Sequence, residues 1–389
     1  MRKILLGAFG VFVVAAAAAG QKAVPSPDDW IMYVGTYTRA PSKGIYAYRF
    51  KGATGEVAPI AIATAGLAAE TENPSFLAVH PNQRFLYAVN EISRYEGRDG
   101  GSVSAFSIDR VSGTLTLLNR VASRGGGPCH VSIDRSGKWL FAANYGGGSV
   151  AAFPVHDDGT LGEASAFLQH AGASANKARQ SGPHAHGAVV SPDNRFVLVP
   201  DLGLDRVFTY RLDPVAGGLA PSEPGFAAIA PGSGPRHVAF RPDGKFAYVL
   251  KEMLSAVVAF RYDARRGTLA ELQTLSTLPE GFSGESSGAE IATHPSGRFL
   301  YASNRGHDSI AIFRIDAAKG TLTPVDRVST QGKTPRGFAI DPSGRFLIAA
   351  NQNSGTLVIF RIDQATGALT ATETAVQVPF PVSVVFSKR

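Results

Sequence analysis

Four side chains that could bind an anion and move a proton stand at matching places in a repeated sequence pattern: His186, Arg236, Glu252 and Arg305. A guanidinium group binds a carboxylate or a phosphate through paired hydrogen bonds, and each such charged bond contributes about 1.5–3 kcal/mol. A neighbouring histidine or glutamate can take a proton from water. We therefore expect these four residues to form an active centre for an anionic substrate if the fold brings them together.

The elements that carry these residues are pairs of short strands. The segment from Gly234 to Glu252 predicts a strand that enters after Pro235, a Pro-Asp-Gly turn, and a second strand of alternating apolar and aromatic residues. The same pattern recurs, in some places without the proline, in the segments that begin at Asn73, Gly127, Gly288 and Thr334. A unit that recurs this often indicates the fold more strongly than any single motif does.

Each strand pair is followed by a third strand and by a fourth that starts at a Gly-x-Leu sequence, such as Gly113-Thr114-Leu115. Four strands per unit at a period of roughly 45–55 residues indicate an all-β, seven-bladed β-propeller with antiparallel blades. The unit that begins at Trp30 lacks an inner strand, whereas the segment from Phe380 to Phe386 resembles an inner strand without a partner. We therefore predict that the N- and C-terminal segments pair and close the ring, which removes exposed strand edges.

Alignment of the units on their turns places polar side chains at one end of every strand pair. The first strand begins where the antiparallel second strand ends, so both supply residues to one face of the ring. The first strands supply Cys129, His186, Arg236, Ala289 and Arg336, and the next position holds His130, His237 and Glu290. The second strands end in Asn90, Asn144, Asp201, Lys251, Asn304 and Asn351, and the residues that follow them include Glu252 and Arg305. Because inner strands line the central channel, we expect a ligand pocket at its mouth.

Six further residues are candidates for substrate binding: His130, His184, His237, Glu290, Asn304 and Arg336. Asparagines at strand ends commonly form hydrogen bonds with the backbone of turns, and we expect mainly that role for Asn90, Asn144, Asn304 and Asn351. A surface ion pair is the alternative for the arginines, but their convergence at one end favours function. His184 and His186 could share a strand face and bind a metal, yet two histidines without a third ligand are weak evidence. We predict no metal and no other cofactor.

Two apparent catalytic motifs do not fit the predicted fold. The segment from Gly284 to Gly288 matches a nucleophile-elbow sequence, but that motif needs a strand-to-helix turn and this segment connects two blades. Cys129 precedes His130, but neighbours on a strand face opposite ways and cannot form a thiol–imidazole pair.

The first residues have the pattern of an export signal. A basic start at Met1 to Lys3 is followed by an apolar run from Ile4 to Ala19 that ends in small residues. We predict a signal peptide over residues 1–20, a linker over 21–29 and one propeller domain over 30–389, in a periplasmic or secreted protein. An uncleaved membrane anchor is the alternative, but the run is shorter than the ~20 residues of a membrane span.

Composition limits the partners of the protein. Cys129 is the single cysteine, so the chain forms no internal disulfide and must be stabilised by packing and ring closure. The formal net charge of +7 falls to +5 once Arg2 and Lys3 leave with the signal, which permits an anionic ligand without requiring one. No basic run is interleaved with aromatic residues, so we expect no nucleic-acid partner. We also expect the protein to be a monomer.

Several segments carry a resemblance to a known family: YVGTYT (33–38), GPCH (127–130), AANYGGGSV (142–150), PHAH (183–186), DLGLD (201–205), GPRH (234–237) and ASNRG (302–306). From Tyr33 onward the chain resembles the seven-bladed propeller lactonase family, which includes bacterial 6-phosphogluconolactonase and fungal carboxy-cis,cis-muconate cyclase. In the cyclase branch a histidine, two arginines and a glutamate are the proposed active residues. The resemblance implies that they correspond to His186, Arg236, Glu252 and Arg305, the residues that the blade alignment also selects.

The resemblance implies a 6-phosphogluconolactonase-like lactonase that opens a sugar-type or other anionic lactone without a metal. In that scheme Arg236 and Arg305 bind the anionic group and stabilise the oxyanion, and Glu252 or His186 takes the proton of the attacking water. A muconate-type lactonising cyclase is one alternative. A non-catalytic periplasmic propeller that binds a glycan or a protein at the same mouth is another, because propellers serve both uses.

Overall fold

The repeated strand pairs form seven sheets that are arranged as a closed ring. The computed structural model describes residues 28–60 and 66–389, and every regular element within these ranges is a β-strand. The predicted signal peptide and most of the predicted linker lie outside the described residues. No helix of the described residues is long and apolar enough to cross a membrane.

The strands of the first four blades follow the chain in order. Blade 1 contains β1 (Asp29–Thr36), β2 (Gly44–Lys51), β3 (Glu56–Pro59) and β4 (Leu67–Glu70). Blade 2 contains β5 (Leu77–Val79), β6 (Phe85–Asn90), a small hairpin of β7 (Arg94–Tyr95) and β8 (Arg98–Asp99), then β9 (Ser102–Ile108) and β10 (Leu115–Ala122). Blade 3 contains β11 (Pro128–Ile133), β12 (Trp139–Asn144), β13 (Ser149–Pro154) and β14 (Ala166–Gln169). Blade 4 contains β15 (Val189–Val190), β16 (Phe196–Asp201), β17 (Arg206–Leu212) and β18 (Leu219–Ala228).

Each of the remaining three blades also contains four strands in chain order. Blade 5 contains β19 (Pro235–Phe240), β20 (Phe246–Lys251), β21 (Ala256–Asp263) and β22 (Thr268–Ser276). Blade 6 contains β23 (Ser287–Thr293), β24 (Phe299–Arg305), β25 (Ser309–Ile315) and β26 (Leu322–Ser329). Blade 7 contains β27 (Pro335–Ile340), β28 (Phe346–Asn351), β29 (Thr356–Ile362) and β30 (Leu369–Gln377), and the chain then continues into β31 (Pro381–Lys388).

Strand β31 closes the ring, as the sequence predicts. It pairs antiparallel with β1 from Trp30↔Lys388 to Gly35↔Ser383, so blade 1 has the order β31-β1-β2, and both β3 and β4 pair with β2. β31 also contacts the inner strands β27 and β5 of the two adjacent blades. Its Val384 and Phe386 pack in the core between blades 1 and 7, so the last strand completes both a sheet and a core.

The cores lie between adjacent blades. The second strands are buried on both faces because each sheet has a neighbour on either side, and β6 is buried over its whole length. Tyr87 of β6 donates a hydrogen bond from its hydroxyl to Gly159 O of blade 3 at 3.2 Å. Gly159 has a φ of +86°, and a Cβ there would collide with the ring of Phe85. The Gly-x-Leu sequence therefore recurs because the turn needs a left-handed residue without a side chain against the neighbouring blade.

Candidate active site

A β-bulge at the start of several first strands turns a residue toward the ring axis. In blade 5, Pro235 pairs with Lys251 and His237 with Leu250, so Arg236 is the additional residue between them. The same register shift occurs around Cys129 in blade 3 and around Arg336 in blade 7. A bulge inserts one residue and changes where its side chain points. These irregularities bring Cys129, Arg236 and Arg336 of three different blades to the same end of the channel.

Glu252 is the centre of the site and contacts three arginines. Its Oε2 lies 3.1 Å from Arg236 Nε and 3.1 Å from Arg305 Nη2, and its Oε1 lies 2.8 Å from Arg179 Nη2. The side chain is only 6% exposed. Burial would raise the pKa of this carboxyl, but the guanidinium groups of Arg305, Arg236 and Arg179 outweigh it and hold the pKa at about 2. Glu252 is therefore ionised at neutral pH.

His186 lies beside this carboxylate and is kept neutral. Its Nε2 is 3.8 Å from Glu252 Oε2, and its Nδ1 is 3.5 Å from the sulfur of Cys129. Burial lowers the pKa of His186 well below its usual range, and Arg236 lowers it further. Burial raises the pKa of the Cys129 thiol, so this group remains protonated. The thiol thus contacts His186, which precedes the strands of the next blade.

A cavity of about 300 Å³ opens above these groups. It is lined by Glu91, Cys129, Tyr145, Arg179, His186, Glu252, Ser287, Arg305 and Arg336. The four residues expected to form the active centre therefore come together: three line the cavity, and Arg236 contacts Glu252 from behind it. The cavity is polar and carries an excess of guanidinium groups, which suits an anionic ligand.

Two of the lining arginines retain donors that the protein does not use. The Nε–H groups of Arg305 and Arg336 are buried and make no hydrogen bond with the described residues. Arg336 lies over the ring of Tyr37 at 5.3 Å, and Tyr37 in turn donates a hydrogen bond to Glu91 Oε2 at 2.9 Å. Burial lowers the pKa of Arg305 to about 10, so this group still carries its charge at neutral pH.

A second polar layer lies behind Arg236. His237 Nδ1 is 2.8 Å from Glu290 Oε1, and the ring of His130 stands 5.3 Å from that of His237 and stacks on Phe76 at 4.3 Å. Burial raises the pKa of Glu290 to about 7 and lowers the pKa of His130 to about 3. His130 and His237 are buried, Glu290 is partly buried, and none of these three candidates for substrate binding is among the cavity-lining residues. They contact the site through Arg236, whose Nη1 lies 3.3 Å from the ring nitrogens of His237.

Of the remaining three candidates, Arg336 lines the cavity, whereas His184 and Asn304 are engaged with the protein. His184 stacks on Tyr145 with ring centroids 4.5 Å apart, and its Nδ1 lies 2.9 Å from Tyr145 O. Asn304 is fully buried, and its amide donates to Ser309 Oγ at 3.2 Å and to Thr277 O at 3.2 Å. His184 therefore supports a wall of the cavity. Asn304 instead satisfies the backbone carbonyl of Thr277 just after β22, as expected of strand-end asparagines, and its burial contradicts its prediction as a substrate-binding residue.

Arg179 is the lining residue that the repeats could not reveal. It lies on the connection between β14 and β15, which has no counterpart in the repeated pattern. The only signal in the sequence is the length of this connection, because long segments without regular structure are often functional. Tyr145 and Glu91 follow strand-end asparagines at aligned positions, so they could have been proposed from the same alignment that gave Glu252.

Two further expectations concern motifs and metals. The segment from Gly284 to Gly288 runs from the β22–β23 connection into β23, so it forms no strand-to-helix turn. Among residues 28–60 and 66–389, no group of three or more His, Cys, Asp or Glu side chains is placed to hold a metal ion.

The fold and the site define a ring-shaped propeller with one end of its axis occupied by a charged cavity. Comparison with known proteins places this arrangement in a family. The family described as "Lactonase, 7-bladed beta-propeller" matches residues 31–386. A 6-phosphogluconolactonase of Bacillus subtilis (strain 168) is 41% identical over 358 residues, which cover 92% of this chain and 98% of the relative.

Two more relatives agree. A 6-phosphogluconolactonase of Formosa agariphila is 35% identical over 318 residues, which cover 80% of this chain and 86% of the relative. The solved structure described as the Pseudomonas aeruginosa periplasmic gluconolactonase PpgL has a TM-score of 0.85 and 38% identity, with 92% of this chain and 99% of that chain covered. The chain belongs to the seven-bladed β-propeller lactonase family and is an enzyme of the carboxylic ester hydrolase class.

Proposed function

We propose that this enzyme hydrolyses a sugar-derived lactone that carries an anionic group, with Glu252, His186, Arg236 and Arg305 as its active centre. The observation that supports this most is the contact of one buried carboxylate with three guanidinium groups at the floor of the cavity. The cavity volume of about 300 Å³ is at the small end of the range of about 300–1,000 Å³ that is common for ligand pockets. A single sugar ring suits such a space.

The reaction consumes one water and breaks one ester bond. Water gives a proton to Glu252 while its oxygen adds to the lactone carbonyl carbon. Arg305 stabilises the negative charge that develops on the carbonyl oxygen, and Arg236 supports Glu252 from behind. The bond from the carbonyl carbon to the ring oxygen then breaks, and the ring oxygen takes the proton from Glu252. The product is the open-chain hydroxy acid.

His186 is the second group that can contact the attacking water. Its neutral imidazole, 3.8 Å from Glu252, can accept or donate a hydrogen bond without adding charge to an already cationic site. A profile of kcat/KM against pH separates the two possible bases. If the His186→Asn variant is less active but its kcat/KM still falls at acidic pH as in the wild type, Glu252 is the base.

This scheme uses no metal ion. We therefore expect that dialysis against EDTA leaves turnover unchanged and that added Ca²⁺ or Zn²⁺ does not raise it. A loss of turnover on chelation that is restored by one of these ions would contradict the metal-free scheme while leaving the assignment to the family intact.

Two lactones distinguish the substrate alternatives. The named activities of the relatives concern a phosphorylated and an unphosphorylated gluconolactone. We propose to measure 6-phosphoglucono-δ-lactone and glucono-δ-lactone with the purified mature protein in a pH-stat, with the spontaneous rate subtracted. Turnover of 6-phosphoglucono-δ-lactone above the blank, absent in Glu252→Gln, supports the proposal. Turnover of glucono-δ-lactone alone would contradict the requirement for an anionic group while supporting lactone hydrolysis. A rate equal to the blank for both, or release of a lactone from an open-chain acid, would refute it.

We also propose that the protein is exported. The support is the basic and apolar N-terminal sequence together with the periplasmic location in the name of the Pseudomonas relative. Cell fractionation followed by N-terminal sequencing tests this. A mature chain that begins near residue 21 in the periplasmic or secreted fraction is expected, and an uncleaved chain in the cytosol would contradict the proposal.

A further inference from the structure

The connection that carries Arg179 is a fixed part of the cavity wall. We call residues 170–183 the Arg179 segment. Gln180 is fully buried and donates from Nε2 to Leu202 O at 2.8 Å and to Asp205 Oδ2 at 2.9 Å. Ser174 donates to the same carboxylate oxygen at 2.6 Å. Because Ser174 and Gln180 flank Arg179, the backbone beneath this arginine is held in place while its side chain extends over the cavity.

Arg179 differs from the other two arginines that contact Glu252. Its side chain is 44% exposed, compared with 4% for Arg236 and 15% for Arg305. Its Nη2 donates to Glu252 Oε1, and it also contacts the hydroxyl of Tyr145 at 3.3 Å. A half-exposed guanidinium group can exchange one anionic partner for another by rotating its side chain. The buried Arg236 and the partly buried Arg305 would instead lose their partner in surroundings that solvate a charge poorly.

The contact with Arg179 leaves Glu252 poorly suited to accept a proton. Its Oε1 is occupied by Arg179, and its Oε2 faces Arg236 and Arg305. With three neighbouring cations the pKa of Glu252 is about 2, far below the value near the working pH that general-base catalysis favours. Loss of any one of these cations would free a lone pair and make the carboxylate more basic.

We propose that Arg179 determines the substrate class of this enzyme by leaving Glu252 for the anionic group of the substrate, so that only an anionic lactone fully releases the base. This inference rests on the proposed lactone hydrolysis and adds a role to a residue outside the repeated pattern. Arg179 thus contributes twice: it binds the phosphate or carboxylate of the correct substrate, and it restrains Glu252 when a neutral lactone is bound.

The expected signature is an opposite effect on two substrates. In Arg179→Gln, kcat/KM for 6-phosphoglucono-δ-lactone should fall at least tenfold because a charged contact is lost. In the same variant, kcat/KM for glucono-δ-lactone should rise, because Glu252 is no longer restrained; an unchanged rate on this lactone would contradict the restraint. Arg179→Lys keeps a cation and should retain part of the preference for the anionic lactone.

Lys177→Gln is the matched control, because Lys177 is an exposed cation in the same segment that does not line the cavity. It should leave both rates and their ratio unchanged. A proportional fall on both lactones in Arg179→Gln, or an unchanged ratio, would overturn the inference while wild-type turnover still supports the proposed function. If the wild type hydrolyses neither lactone, the proposed function fails and this inference fails with it.

Discussion

Replacement of Glu252 by glutamine tests the centre of the site, because it removes the carboxylate that contacts Arg179, Arg236 and Arg305 while keeping the size of the side chain. Two effects are expected. The variant lacks a group that can take the proton of water, and removal of general acid–base catalysis typically costs 10²–10⁴-fold in rate. The variant also leaves three guanidinium groups close together without their shared counter-ion, so it should be less stable at neutral pH.

The pKa of Glu252 gives the size of the stability effect. It falls from an ordinary value of 4.5 to about 2 in the folded protein. At about 1.4 kcal/mol per tenfold change in an equilibrium constant, this difference corresponds to about 3 kcal/mol of folding free energy. Because the pKa is lower in the folded state, the contribution is fully present above pH 4.5 and is lost as the pH falls through about 2. The difference between wild type and variant should therefore shrink on acidification.

Urea unfolding at pH 7 and at pH 2.5 measures the stability of both proteins, and a pH-stat with a lactone substrate measures kcat/KM. Glu285→Gln is the control, because Glu285 is an exposed carboxylate on the adjacent β22–β23 connection. It should change neither quantity by a measurable amount. Wild-type kcat/KM in Glu252→Gln, or a stability deficit of the same size at both pH values, would refute the reasoning.

Three further predictions concern other parts of the molecule. Deletion of residues 382–389 removes most of β31 and should abolish cooperative unfolding and near-ultraviolet circular dichroism; a folded, active truncation would show that ring closure is dispensable. Burial raises the pKa of Glu290 to about 7 from 4.5, so wild-type stability should fall as the pH rises between these values, and Glu290→Gln should lack this fall in a series of thermal melts; an identical pH dependence would contradict it. Arg336→Met removes a cation with an unused donor and should raise KM for an anionic lactone roughly tenfold to a hundredfold with little change in kcat; an unchanged KM would place the anion elsewhere.

The repeats predict the fold because each blade solves the same packing problem. Tyr33, Tyr87, Tyr248 and Tyr301 occupy corresponding strands, and each donates a hydrogen bond to a glycine carbonyl of a neighbouring blade. Blades 1, 2, 5 and 6 thus keep a tyrosine at the same place in the repeat for this contact, and the other blades keep an apolar residue there. The period and the closing strand could therefore be predicted from the sequence, and the structure confirms both.

The sequence predicts those residues of the site that occupy repeated positions at the ends of strands. Glu252 and Arg305 stand where second strands end, so antiparallel pairing alone places them at one face. The bulge at Arg236 could not be predicted, because a single inserted residue leaves the hydrophobic pattern almost unchanged. Arg179 could not be predicted either, since its position depends on buried hydrogen bonds of Gln180 and Ser174 to Asp205, which are distant in sequence.

The position of β31 in blade 1 has a consequence for biogenesis. A ribosome delivers β1 to β4 first, but their sheet has no inner strand until β31 emerges after all the other strands. The pairing of β31 with β1 therefore cannot form during translation. The core shared by the first and last blades is completed only after chain release. Until then the edge of β1 that pairs with β31 stays open.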